Sequence, residues 1–290
     1  MIIDGRQLAK DRELLLKKKV DQFTALRHRR PSLLAIELFA DPGSKLYLKL
    51  KKAAAERIGI EMKVCEVYET SHLFVKFRRL HKLHKAGFDG IFIQHPPGYD
   101  KQKWQKMVDQ IPPEKDVDCL TSINLGLIKE GKPRFFPATV KAAIYCLLFA
   151  FCQFDQLDKL DQLGKLLNKK RIVILGRSPI LGLPLSWHLE NLGASVTLLH
   201  SESKNIKQKT KNADILISSV GKPKIVTGDM VKEGVIAIDC GSPVGDIDFD
   251  SVGKKAAAIT PVPGGVGPLT VVSLMENVVE SAYHADREGS

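Results

Sequence analysis

The chain has 290 residues, 44% of them hydrophobic and 27% charged. That composition excludes a disordered chain and suffices for two ordinary hydrophobic cores. Its net charge of +11 gathers in Lys17, Lys18 and Lys19, in Arg27–Arg30 and between Lys76 and Lys85, with few aromatics and no nucleic-acid signature nearby. These runs read as solvated helix faces that attract small anions, and nucleic acid is not expected as a partner.

The N-terminus Met-Ile-Ile-Asp-Gly-Arg lacks the basic start and long apolar core of a secretion signal, and no apolar run approaches a membrane span. A cytoplasmic chain with no membrane partner is expected. From there strand and helix alternate. Leu33–Phe39 has strand character. Ser44–Ile58 reads as a helix, with Ser44 as N-cap and Gly59 just past its end. Ile60–Val67 alternates like a strand, Ser71–Ala86 is helical and closed by Gly87, and Asp89–Gln94 is a buried-type strand. Residues 98–140, rich in Pro, Asp and Asn, read as loops holding a short helix. After a polar stretch at 153–170, Arg171–Leu175 is a strand, followed by a glycine-bearing turn and a helix to about Leu192; Ser195–Leu199, Asp214–Ser218 and Val235–Asp239 are further strands. Two such series imply βαβ units, parallel sheets and two α/β domains with a ligand cleft between them. The five cysteines (Cys65, Cys119, Cys146, Cys152, Cys240) are scattered and lack CxxC spacing, which argues for reduced thiols.

Four patterns carry candidate chemistry. Tyr47 and Lys51, four apart, share a helix face. A partly buried lysine beside a tyrosine loses proton affinity and becomes a candidate general base, although Lys49, Lys51 and Lys52 also fit a solvated face. Gln94 ends a buried strand, where it could orient a lysine or a ligand amide. In Lys115-Asp116-Val117-Asp118 the two carboxylates could pair with Lys115, bind a metal or accept from an amino-heterocycle. Gly176-Arg177-Ser178-Pro179-Ile180-Leu181-Gly182 lies between a strand and a helix, the place where a doubly wound sheet holds a pyrophosphate. The following strand ends Leu199-His200-Ser201 with no acid at that point, although Glu202 is close. Arg177 and Ser201 could hold a 2′-phosphate, which favours NADP over NAD.

The segment Thr260–Thr270 packs three prolines and three glycines into eleven positions ahead of an apolar helical pattern. Proline fixes φ, X-Pro is the common route to a cis peptide, and glycine brings a ligand close to backbone. Such a rigid, side-chain-poor loop suits a flat polar ligand.

Taken together these segments resemble the bifunctional methylenetetrahydrofolate dehydrogenase/methenyltetrahydrofolate cyclohydrolases. The resemblance rests on Asp41-Pro42-Gly43-Ser44 with Tyr47 and Lys51, Asp89-Gly90-Ile91 running to Gln94, the Lys115–Asp118 run, Asn124-Leu125-Gly126, Gly176-Arg177-Ser178 with Gly182 and Pro184, His200-Ser201, and the loop Thr260–Thr270. It covers nearly the whole chain. It implies an N-terminal catalytic and folate-binding domain over 1–140, completed by the helix 269–290, and a Rossmann-like, doubly wound NADP-binding domain over 141–268. It further implies Lys51 as catalytic lysine, Tyr47 as its stacking partner, Gln94 as the residue that tunes it and Asp118 as the acid gripping the pterin amino group. Pro263, Gly264, Gly265 and Gly267 would line the folate pocket. Gly176, Arg177, Ser178, Gly182, Ser201 and Ser242 would contact NADP. No metal is required, a homodimer through the nucleotide-binding domain is expected, and the activity would place the chain in one-carbon metabolism, upstream of purine biosynthesis. The chain departs from the family at His95-Pro96-Pro97-Gly98, at Ala138-Thr139-Val140, at Cys119-Leu120 and at Gly241-Ser242-Pro243. Two alternatives stay open: a diverged member with one of the two activities, and a non-catalytic binding protein using its basic surface.

Overall fold

The structure, a computed structural model, describes residues 1–38, 42–66, 87–95, 100–152 and 163–288. The residues form two compact units: one of 1–9, 128–132 and 139–270, the other of 10–127, 133–138 and 271–290.

The second of these units is built on a three-stranded parallel sheet, β1 (Ser32–Glu37), β2 (Glu61–Glu66) and β3 (Gly90–Gln94), in the order β2-β1-β3. Leu33, Leu34, Ala35 and Ile36 of β1 and Ile91, Phe92 and Ile93 of β3 are buried, as expected of a sheet covered on both faces. Most of helix α1 (Gly5–Arg27) and all of α2 (Pro42–Ile58) belong to this unit. Helix α2 begins at Pro42, so Ser44 lies inside it and not at its N-cap. Proline is well suited to a first helical position, where its missing N–H has no intrahelical partner to lose. Gly59, at φ +98°, follows the last turn. The helix expected over Ser71–Ala86 lies outside the described residues.

Where loops and one short helix were expected, the chain forms α3 (Lys101–Val108), capped by Asp100 Oδ1 on the Lys103 N–H at 2.8 Å, and α4 (Ser122–Lys129), and then starts α5 (Ala138–Cys152). Helix α5 is apolar all round, with Val140 through Leu148 buried, Lys141 included, which is why no amphipathic period marks it in the sequence.

The other unit holds a five-stranded parallel sheet: β4 (Arg171–Leu175), β5 (Ser195–Leu199), β6 (Ile215–Ser218), β7 (Ile236–Asp239) and β8 (Ala258–Ile259), in the order β5-β4-β6-β7-β8. The chain enters at β4, winds outward to β5, then returns past β4 to β6, so the direction of winding reverses between β4 and β6. That reversal point, at the carboxyl ends of the strands, is where doubly wound sheets bind ligands. Short helices α6 (Leu163–Leu167), α7 (Gly182–Asn191), α8 (Ile206–Lys211) and α9 (Phe249–Gly253) complete the unit.

Helix α10 (Val266–Glu288) supplies side chains that the three-stranded unit needs. Asn277 Nδ2 donates to the carbonyls of Val117 and Phe136, each at 2.8 Å. Ser281 Oγ donates to the carbonyls of Asp89 at 2.7 Å and Glu114 at 2.8 Å. The buried Glu276 accepts from Arg12 Nε at 2.7 Å. Val272, Met275, Val278, Val279 and Ala282 are buried between these polar anchors. No helix among the described residues is long and apolar enough to cross a membrane.

Candidate active site

Lys51 projects from α2, one turn after Tyr47. Its Nζ donates to Gln94 Oε1 at 3.0 Å and sits 4.1 Å from the centroid of the Phe92 ring. Phe92 and Gln94 are two apart on β3, so both point to one face of the sheet, and that face meets the lysine. Lys51 is half-buried, and removal from water lowers the proton affinity of its amine; the charge of Asp118 works in the opposite direction. Tyr47 is 44% exposed on the same helix and accessible to a flat ligand.

Asp118 reaches this place through the loop Lys115–Asp118, which is stitched to β3. The Ile91 N–H donates to the Lys115 carbonyl at 2.7 Å, and Ile91 and Asp116 form a single parallel bridge. A Cβ on Gly90 would stand 2.7 Å from Val117 Cγ1, so this close approach of strand and loop requires glycine. The two carboxylates of the loop part company. Asp116 is fully buried, and its Oδ2 accepts from the Thr121 N–H at 2.8 Å and Asn124 Nδ2 at 2.9 Å. It shapes the turn. Asp118 stays half-buried within the field of Lys51 and His95: burial raises its pKa, and those two groups hold it down. Among the described residues no cluster of His, Cys, Asp and Glu could hold a metal ion. Asp118 is coupled to Lys51, a partner the sequence reading did not name, and its place is compatible with acceptance from a ligand.

His95 and Phe92 were not among the sequence candidates. The His95 ring stands edge-on to Trp104, 4.7 Å between centroids, and burial followed by the nearby Lys101 lowers its pKa. Phe92 could have been found from its two-residue spacing to Gln94. The electrostatic link of His95 to Asp118 had no sequence signal.

In the five-stranded unit, the turn after β4 is shaped by two glycines. Gly176 has φ +107°, and a Cβ there would meet the Ser219 carbonyl oxygen at 2.4 Å. A Cβ on Gly182 would lie 1.9 Å from the Gly176 carbonyl oxygen. Ser178 Oγ accepts from the Leu181 N–H at 3.3 Å, and the Ser178 carbonyl accepts from the Leu183 N–H at 3.1 Å. The result is a bare backbone cradle leading into α7 at the winding reversal, a fit for a dinucleotide pyrophosphate.

The neighbouring strand ends at Leu199, as expected, and Glu202, three residues on, is close: its Oε2 lies 3.3 Å from Arg177 Nη2, on the guanidinium expected to hold a 2′-phosphate. Ser201 is exposed beside it. Ser242 is also exposed, after a stretch in which buried Asp239 accepts from the N–H groups of Gly241, Asp246 and Ile247 at 2.8–3.1 Å.

The Thr260–Thr270 segment belongs to this unit as well. Both Ser242–Pro243 and Val262–Pro263 are cis. Gly264 has φ +114°, and Gly265 is held by its N–H on the Pro261 carbonyl at 2.8 Å. A Cβ on Gly5 would stand 1.8 Å from the Gly265 carbonyl oxygen, so the start of α1 braces the loop. Pro263 and Gly267 are exposed.

Two family models match the chain: the catalytic domain of tetrahydrofolate dehydrogenase/cyclohydrolase over residues 3–118, and the NAD(P)-binding domain of the same enzymes over residues 157–286. The chain belongs to the tetrahydrofolate dehydrogenase/cyclohydrolase family. A relative from Caldanaerobacter subterraneus subsp. tengcongensis, described as bifunctional protein FolD, is 37% identical over 98% of both chains. The crystal structure of the bifunctional FolD enzyme of Campylobacter jejuni shares 33% identity at a TM-score of 0.86, covering 98% of this chain and 99% of that one. The Trypanosoma brucei FolD, solved with NADP cofactor and an inhibitor, shares 32% identity at a TM-score of 0.86, covering 99% of this chain and 98% of that one. The fold of this family, a two-domain α/β protein with a Rossmann-like nucleotide domain, is that of the present chain.

Proposed function

We propose that this chain oxidises 5,10-methylenetetrahydrofolate to the 5,10-methenyl form with NADP and then hydrolyses that cation to 10-formyltetrahydrofolate. The observation that carries this reading is the Lys51 amine, lowered in proton affinity by burial, 3.0 Å from Gln94 and within the field of Asp118.

In the first step a hydride leaves the one-carbon bridge of the substrate and a methenyl cation remains. Gly176–Gly182 would hold NADP, which would supply the hydride acceptor. The protein's part is alignment, with Asp118 accepting from the pterin amino group and Tyr47 lying against the ring system. In the second step water adds to the methenyl carbon and loses a proton, and the ring opens to the formyl product. A neutral Lys51 that donates one N–H to Gln94 keeps its lone pair for that proton. General-base assistance of this kind is worth about 10²–10⁴ in rate. NADP as preferred cofactor, a homodimer through the nucleotide unit and a cytoplasmic setting belong to the same proposal.

The test is to follow nicotinamide reduction with methylenetetrahydrofolate and the decay of methenyltetrahydrofolate in separate assays. Both signals are expected. Loss of one would make the chain monofunctional, and loss of both would overturn the reading.

A further inference from the structure

Arg177 follows β4, and Glu202 lies three residues beyond the end of β5. The two strands are paired in register, Leu175 opposite Leu199, and the Gly176 N–H donates to the Leu199 carbonyl at 2.8 Å. Their carboxyl ends therefore emerge side by side and bring Arg177 and Glu202 to one edge. The turn that carries Glu202 is braced from within. The His200 N–H donates to Ser203 Oγ at 3.0 Å, the Ser203 N–H donates to the His200 carbonyl at 2.9 Å, and the Glu202 N–H donates to His200 Nδ1 at 3.4 Å. His200 Nδ1 is also 3.7 Å from Glu202 Oε2. Glu202 thus stands three residues past the second strand of a doubly wound sheet, close to the strand end from which an acid in such folds accepts from the adenosine ribose hydroxyls.

We propose that Glu202 sets the cofactor preference of this chain: it offers a ribose acceptor that suits NAD, and the 2′-phosphate of NADP must take Arg177 from it. This rests on the reading of Gly176–Gly182 as a dinucleotide cradle. The Arg177 and Glu202 side chains are 54% and 74% exposed, so their ion pair is screened and readily exchanged. The larger effect is what remains after exchange, a carboxylate close to a phosphate bearing up to two negative charges. At surface dielectric that repulsion corresponds to about a tenfold loss of affinity. NADP is accepted, NAD is not rejected, and the margin between them is narrow.

The experiment measures binding of adenosine 2′,5′-bisphosphate and of 5′-AMP to the full-length protein by calorimetry, alongside kcat/KM for NADP and NAD, in wild type, E202Q and E202K. Circular dichroism checks the fold, which an exposed side chain does not support. E202Q is expected to tighten the bisphosphate about tenfold, to leave AMP unchanged or weaker, and to shift the NADP/NAD ratio of kcat/KM in the same direction. E202K extends the shift. Equal changes for both ligands, or none, would overturn the role of Glu202 while leaving the cradle intact. If wild type binds neither ligand, the dinucleotide reading itself fails and this proposal with it.

Discussion

The Lys51 amine donates to the Gln94 amide oxygen at 3.0 Å while its other side rests 4.1 Å from the centre of the Phe92 ring. A helix residue and two alternate residues of one strand thus fix a single nitrogen. Lys51→Met keeps the stem's volume and removes the nitrogen. It is expected to reduce methenyltetrahydrofolate hydrolysis by about 10²–10⁴ with the circular dichroism spectrum unchanged. Lys51→Arg is expected not to restore the rate, because a guanidinium stays charged. Wild-type hydrolysis in either variant would remove the amine from the mechanism.

Asp118 raises the proton affinity of Lys51, and burial lowers it by more. In wild type, hydrolysis should therefore rise with pH through a transition below the ordinary lysine range, as the neutral amine forms. Asp118→Asn removes the opposing charge, so the amine loses its proton at lower pH and the rising limb moves toward acid. The same change should weaken substrate binding by about 1.5–3 kcal/mol through loss of a charged hydrogen bond. A pH–rate profile and a substrate titration of the one variant check both effects, and an unmoved limb would sever the link between the two residues.

Gly182 has no room for a Cβ, which would lie 1.9 Å from the Gly176 carbonyl oxygen. Gly182→Ala must push the turn open. We expect a stability loss of about 2–3 kcal/mol, read as a lower Tm, together with loss of nucleotide binding. Tight nucleotide binding by that variant would show that the cradle tolerates displacement.

The thiols should be quiet. Cys119 and Cys146 are buried, and burial pushes the Cys146 thiol up to about 12 and those of Cys119 and Cys240 well above the usual range. Only the thiolate is nucleophilic. Iodoacetamide at neutral pH should leave these three unmodified in the folded protein and label them after denaturation, as peptide mass spectrometry would report.

What the sequence made legible depended on whether a pattern was local. The strands Arg171–Leu175 and Ser195–Leu199 were expected with the bounds observed: the first has the apolar run of a strand buried inside a parallel sheet, the second the alternation of an edge strand. The start of α2 was misplaced by two residues because serine was favoured as a cap over the proline that begins the helix. Helix α5 went unnoticed because burial on every side erases the period that reveals a helix. At the site, Lys51 and Gln94 could be nominated from their places on a helix and at a strand end. The partnership of Arg177 with Glu202 could not, since only the pairing of β4 with β5 brings residues 25 positions apart together.

The anchors from α10 also govern the order in which the protein can be made. On the ribosome, residues 32–138 emerge long before residues 266–288. Until that last segment is released, the carbonyls of Asp89, Glu114, Val117 and Phe136 lack the donors Asn277 and Ser281, and Arg12 lacks Glu276. The nascent N-terminal half must therefore wait, with its sheet incompletely covered, until residues 266–288 have emerged, and the unit holding Lys51 closes only after the five-stranded sheet has been synthesised.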